Sequence, residues 1–272
     1  MRKFSISPTE MGASFWRNRQ LIVTLIQREV LGRYQGSMMG VLWSFITPLL
    51  MLTVYTFVFS VVFKARWSVE SSSVAEFGMV LFAGLIMFNI FAECIGRAPV
   101  LILANVNYVK KVVFPLEILA WVSVGSALFH ALISIFVWLV AYLILFGVPH
   151  LTVLLLPLVM LPLILLIMGL SWGLASIGVY LRDVTQFVGV LTTVAMFLSP
   201  IFYPASALPE QYRALLLVNP LTSVVEGARD VLFWGEMPDV VFLSMYFLGA
   251  AFFAWLGFAW FQKTRTGFAD VL

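Results

Sequence analysis

Between Gly40 and Phe63 the chain carries no charged side chain, and apolar stretches of similar length recur along the rest of it. An α-helix rises 1.5 Å per residue, so about 20 apolar residues cross the roughly 30 Å hydrocarbon core of a bilayer. Six windows qualify: Gly40–Phe63, Phe77–Ile95, Leu116–Phe146, Leu151–Val179, Phe187–Tyr203 and Val240–Phe261. Lipid offers no partner to backbone N–H and C=O groups, so each window must be helical. A chain that is 62% hydrophobic and 11% charged has too little charge to clothe a soluble domain of 272 residues. The expected fold class is an all-α polytopic membrane protein with six transmembrane helices. The third and fourth windows exceed a perpendicular crossing, an excess that tilt or extension into the headgroups absorbs. The fifth is short and closes at Ser199-Pro200.

Orientation follows from the basic residues, which concentrate on the cytoplasmic side of membrane proteins. Of the 16 Lys and Arg, all but Lys64, Arg66, Arg213 and Arg229 fall on the side that holds both termini. Both termini are therefore expected in the cytoplasm, and the net charge of +3 reflects topology, with nothing in it that points to nucleic acid. The start of the chain is polar after Arg2 and Lys3 and lacks the pattern of a cleavable signal peptide, so the first span is expected to direct insertion. Cys94 is the only cysteine, which rules out an internal disulfide and a thiolate metal site and suits a small buried apolar position.

Residues 1–39 form a segment of their own before the six-span domain of residues 40–272. Phe15, Ile22, Ile26 and Val30 share one helical face, away from Arg17, Gln27 and Arg28. That pattern predicts an amphipathic helix at the membrane interface, anchored by Trp16 and the arginines. A helix docked on the bundle is the alternative. Between spans two and three, Gly96–Pro115 holds a short basic helix tipped with Asn105 and Tyr108, suited to a cytoplasmic partner or to the membrane surface. The outer connection from Pro204 to Asp239 is too apolar for a free loop. Pro209 opens a helix that Asn219-Pro220 stops, and Ser223-x-x-Glu226 has capping-box spacing for a second helix to about Trp234. Both are too short to cross, so two re-entrant helices are expected there, forming a plug or hinge.

Catalytic and metal chemistry find little support. Gly169-Leu170-Ser171-Trp172-Gly173 matches a nucleophile-elbow pattern but lies inside an apolar span, where small residues serve close helix packing. His130 is the one histidine that could approach Ser171, and no intramembrane aspartate completes a triad. Neither His130 nor His150 has a carboxylate at ligand spacing, and no P-loop motif occurs. Ion coupling needs ionisable groups mid-membrane. Glu93, which can pair with Arg97 at i,i+4, and Glu117 read as anchors of helix ends. The expectation is a pore with no catalytic residue, no metal and no bound cofactor, driven by a separate ATPase.

Several motifs carry a family resemblance. Arg33-Tyr34-x-x-Ser37-x-x-Gly40-x-x-Trp43 with Pro48, then Asn105-x-x-Tyr108-x-x-Lys111-x-x-Phe114-Pro115, resemble the permeases of ABC-2 type polysaccharide exporters. So do Arg182-Asp183-Val184, Ser199-Pro200-Ile201-x-Tyr203-Pro204, Leu208-Pro209 and Asn219-Pro220, in that order. The resemblance runs from about residue 15 to the end and is nearest to the O-antigen exporters of Gram-negative bacteria. It implies a homodimer in the bacterial inner membrane with two ATP-binding subunits, which hold the ATP and magnesium and drive a lipid-linked polysaccharide outward. By the same resemblance Asn105, Tyr108, Lys110 and Lys111 contact the ATPase and the outer helix pair gates the exit.

Sugars present C–H faces that lie on aromatic rings, a grip that tolerates sliding. Candidates for a channel lining are Tyr34 and Trp43 at the inner mouth, Phe88 and Phe91 on span two, and Phe197, Phe202 and Tyr203 near the exit. The competing role for each is packing or lipid contact. Two other functions stay open: an exporter of the same fold for a smaller lipid or drug, and a membrane enzyme acting on lipid-linked sugars. The second requires a clustered acid or metal site at the headgroups.

Overall fold

A computed structural model describes residues 5–63, 67, 74–110 and 114–272. Every regular element among them is helical. Five helical stretches are long and apolar enough to cross a membrane: Gly40–Val62, Ala75–Val100, Ile118–Leu145, Leu151–Tyr180 and Val240–Val271. The expected fifth span is shorter. Helix α8 (Val184–Leu198) has 15 residues, a rise of about 22 Å, and Ser199 leaves the helix in extended backbone before Pro200.

The N-terminal segment is two helices, α1 (Pro8–Arg17) and α2 (Arg19–Tyr34), where one was expected. Asn18 breaks the run, and its Nδ2 donates to Ser14 O at 2.8 Å. The apolar face of α2 docks on the bundle: Ile22 packs with Ile118 and Val122 of α6 (Ile118–Leu145). The side chain of Ile26 lies where a Cβ on Gly125 would stand, 2.2 Å away, so the missing side chain forms the notch. Trp16, 67% exposed, carries the guanidinium of Arg19 over its ring.

Span one comprises a short 3-10 turn, α3 (Trp43–Tyr55) and a π-helical end, Thr56–Val62. Helix α4 (Val74–Arg97) is the axle of the bundle: 83% of its most apolar window is buried, against 11% for the first and last spans. Helices α3, α6, α7 (Leu156–Tyr180), α8 and α10 (Pro220–Arg229) all touch it. Cys94 is fully buried on α4, as its apolar setting predicts.

Helices α7 and α11 (Val240–Thr264) approach closely. A Cβ on Gly257 would lie 2.2 Å from the carbonyl oxygen of Gly169. This is the small-residue packing that the Gly169-x-x-x-Gly173 region predicted, carried by Gly169, and Ser171 is buried nearby on α7. Gly257→Val is expected to force the two backbones apart at a cost of about 1–3 kcal/mol. Thermal unfolding of the detergent-solubilised protein should fall accordingly. The same change at Gly249, whose Cβ position is open, should leave it close to wild type.

One end of the bundle gathers α1, the C-terminal residues and, among the described residues, helix α5 (Val106–Lys110) between spans two and three. Glu117 organises it. Ser14 Oγ donates to Glu117 Oε1 at 2.9 Å, and Arg265 Nη1 donates to Glu117 Oε2 at 2.7 Å. Trp172 Nε1 donates to the Glu117 carbonyl at 3.0 Å. Four elements thus meet at the residue expected only to anchor a helix end.

At the opposite end, α9 (Glu210–Val218) and α10 form the two short helices. Helix α10 starts three residues before the expected capping box. Asn219 is its N-cap, accepting from Leu221 N at 3.0 Å, and Pro220 occupies the first turn, where its missing N–H costs nothing. The Asn-Pro pair therefore ends one helix and begins the next. Arg229, expected as a charge in the outer connection, is fully buried. Its guanidinium donates to Val80 O at 3.1 Å, Pro200 O at 2.6 Å, Ile201 O at 2.9 Å and Glu226 Oε1 at 2.9 Å. The ring of Trp67 lies 4.2 Å from the guanidinium carbon. Burial draws the group down to about 10 against the pull of Glu226, so it is cationic at neutral pH.

Candidate functional site: a polar chamber at the mouth of the first span

Helix α6 is about 42 Å long from its 28 residues, some 12 Å more than the hydrocarbon core requires. Helix α2 lies along the first turns of α6, from Ile22 beside Ile118 to Tyr34 beside His130. The chain then turns into α3, leaving a cavity of about 480 Å³ between the end of α2, the start of α3, α4 and α6. Arg33 and Tyr34 come from α2, Trp43 and Thr47 from α3, Asn89 and Glu93 from α4, and His130 from α6.

The polar groups on one wall form a chain. Arg33 Nη2 donates to Glu93 Oε1 at 2.5 Å. His130 Nδ1 lies 3.2 Å from Glu93 Oε2, and its Nε2 lies 3.2 Å from the Tyr34 hydroxyl. Arg33 Nη1 also lies 3.2 Å from His130 Nδ1, so one edge of the imidazole meets both members of the Arg33–Glu93 pair and the other meets Tyr34. Burial raises the Tyr34 phenol, which keeps that hydroxyl a donor. The expected Glu93–Arg97 pair is the weaker contact, at 3.9 Å, because Arg97 turns to Glu29 of α2. His130 is thereby committed to Glu93 and Tyr34, and the suggested approach to Ser171 is replaced by these contacts.

One turn along α4 from Glu93, on the same helix face, the lining changes. Asn89 is exposed, although every other residue from 77 to 95 is buried or intermediate. Its carboxamide has no hydrogen-bond partner among the described residues. Trp43, 42% exposed, stands nearby on the lining.

The aromatic candidates divide among three places. Tyr34 and Trp43 line the chamber. Phe88 and Phe91 sit inside the packed core, at 4% and 7% exposure, with ring centres 6.3 Å apart. In the single chain they pack the bundle and do not line the chamber. Phe197, Phe202 and Tyr203 lie at the far end, where Phe202 stacks on Phe59 at 5.3 Å and the Tyr203 hydroxyl donates to Phe197 O at 3.2 Å.

The expected coupling residues occupy the terminal end, on and just before the short helix α5 (Val106–Lys110). Asn105 Nδ2 donates to Leu101 O at 2.9 Å, and Tyr108 stacks face to face on Phe114 at 4.2 Å. Arg28 Nη1 reaches the Tyr108 hydroxyl at 3.5 Å. Lys110 Nζ donates to the Leu272 carbonyl. Lys111 lies outside the described residues. Asn105 and Tyr108 also line a second cavity, about 270 Å³, beside Arg28, Glu29 and Arg97.

Sequence reasoning missed Asn89, and it missed the union of Arg33, Glu93 and His130. A lone carboxamide and a lone imidazole inside apolar windows were the available signals.

A helical membrane bundle with a polar, aromatic-edged chamber at the mouth of a span has the form of a permease. Residues 20–233 match the family described as ABC-2 type transporter, and the chain belongs to that family. Among its relatives is the "O-antigen export system permease protein RfbA" of Myxococcus xanthus, 29% identical over 257 residues that cover 94% of this chain and 96% of the relative. A protein of the same name from Klebsiella pneumoniae is 27% identical, covering 93% and 95%. The "Polysialic acid transport protein KpsM" of Escherichia coli is 26% identical over 243 residues, covering 85% and 89%.

Proposed function

We propose that the chain is the permease subunit of an ATP-driven exporter that carries a lipid-linked polysaccharide, of the O-antigen or a related kind, out across the bacterial inner membrane. The observation that carries this reading is similarity along nearly the whole chain to permeases whose names specify polysaccharide export. Two copies of the chain form the passage. Phe45 and Leu49 on α3 and Phe187 and Val190 on α8 are exposed in the single chain, faces that lipid or a second copy would cover. Two ATPase subunits bind ATP and magnesium and dock at the end that gathers α2, α5 and the termini. The excess of basic residues there supports a cytoplasmic location for that end. Helix α8 with the turn after it serves as the sixth crossing, and α9 and α10 form a re-entrant pair at the periplasmic exit.

Purified alone in proteoliposomes, the chain is expected to hydrolyse no ATP and to move no glycolipid. Both activities should appear together when its partner ATPase is added. Nucleotide hydrolysis by the chain alone, or glycolipid transport without any ATPase, would overturn the reading.

A further inference from the structure

Asn89 is the anomaly of the most buried span. A carboxamide within a bilayer is costly unless something hydrogen-bonds to it, yet Asn89 is exposed to the chamber and has no partner among the described residues. Whatever fills the chamber must supply that partner.

The charges of the chamber narrow the choice. Its charged lining residues are Arg33 and Glu93, which are bound to each other at 2.5 Å. Arg97, just beyond, is paired with Glu29. No cation on the described lining lacks a carboxylate partner, so a phosphate or carboxylate entering here would meet a balanced site and a lone amide. Hydroxyl groups suit the same surface better. The Asn89 amide offers two donors and an acceptor, Thr47 adds an exposed hydroxyl on the lining, and Trp43 offers a partly exposed apolar ring. The volume, about 480 Å³, is within the usual range of small-ligand sites.

We propose that the chamber binds an uncharged sugar unit of the transported glycan, leaving the anionic lipid headgroup to another surface, with Asn89 hydrogen-bonded to ring hydroxyls and Trp43 against a C–H face. The proposal rests on the polysaccharide reading above and deepens it by naming the part of the substrate that this site holds. Arg33, Glu93 and His130 act as positioning residues: their mutual bonds hold the chamber wall and leave Asn89 as the available polar contact.

The test uses the full chain assembled with its partner ATPase in lipid nanodiscs, carrying Asn89→Cys. Cys94, the native cysteine, is fully buried and serves as the unlabelled internal control. Maleimide labelling of this chain is followed by mass spectrometry with two probes: the cognate glycan cleaved from its lipid by mild acid, and farnesyl pyrophosphate. The glycan is expected to slow labelling of Cys at position 89 at least fivefold, and farnesyl pyrophosphate to leave the rate unchanged. Asn89→Ala should weaken binding of the free glycan about tenfold, the scale of a lost hydrogen-bond pair, with no change in thermal stability. Protection by farnesyl pyrophosphate, or by neither probe, overturns the proposal. So does a position-89 thiol that is unreactive before any probe is added, which would place Asn89 in a seam between two copies of the chain. Glycolipid-stimulated ATP hydrolysis by the unsubstituted complex is measured in parallel. Its absence would sink the exporter reading itself, whereas its presence with a failed labelling result would sink only the sugar site.

Discussion

Arg229→Met is expected to remove most of the folded protein from the membrane. The side chain is fully buried and supplies donors to three backbone carbonyls, on α4 and on the turn after α8, as well as to Glu226. Methionine fills similar space but donates nothing, so those acceptors lose their partners in a dry setting, and a carboxylate is left without its counter-charge. Breaking a buried ion pair from one side costs about 3–5 kcal/mol, a large share of the 5–15 kcal/mol typical of a folded domain. Lysine should rescue little, because one compact ammonium cannot span acceptors that a planar fork reaches on several sides. The yield of monodisperse protein in fluorescence-detected size exclusion should drop by about tenfold or more for Met and by an intermediate amount for Lys. Wild-type yield and melting temperature for Arg229→Met would show that the guanidinium does not hold the outer end together.

Glu117→Ala should loosen the terminal end without unfolding the spans. Glu117 and Arg265 are each 7% exposed at their side chains, and Ser14 of α1 donates to the same carboxylate. Alanine removes the counter-charge of Arg265, which keeps its contacts with Gln262 Oε1 at 3.0 Å and Phe114 O at 3.4 Å. It also frees α1 from its inward hydrogen bond. The expected loss is again about 3–5 kcal/mol. Glu117→Gln, which retains one acceptor for Ser14 but loses the charge and turns an NH2 toward Arg265, should cost about half as much. Limited proteolysis within residues 5–18, compared with thermal unfolding of the whole protein, distinguishes the two effects. If both variants protect the N-terminal helices as wild type does, the ion pair is not what fastens them.

The membrane class was legible because it depends on a property that needs no partner. Backbone groups in lipid must be satisfied within their own segment, so length and the absence of charge suffice to name a span. The same local logic foresaw the boundaries of α9, the burial of Cys94 and the close approach near Gly169. Where it failed, a long-range contact had won over a local one. Arg97 prefers Glu29, distant in sequence, to Glu93 one turn away. Ser223 has the spacing of a helix cap, but Asn219 takes the role, its Nδ2 donating to Ser199 Oγ at 2.9 Å while its Oδ1 caps α10.

The sequence by itself therefore determined that the chain lives in a bilayer as helices, and its motifs pointed to the family that the chain belongs to. Only the tertiary structure decided which polar residues are spent on one another and which remain available. Arg33, Glu93 and His130 lie far apart along the chain, and only folding makes them a single bonded group. Arg229 reads as a surface charge until the carbonyls of α4 and the α8 turn close around it. Hydrophobicity is additive along a segment, whereas the satisfaction of a charge or an amide depends on the atoms that folding brings to it, and that is why only the fold shows the Asn89 amide to be unpartnered among the described residues.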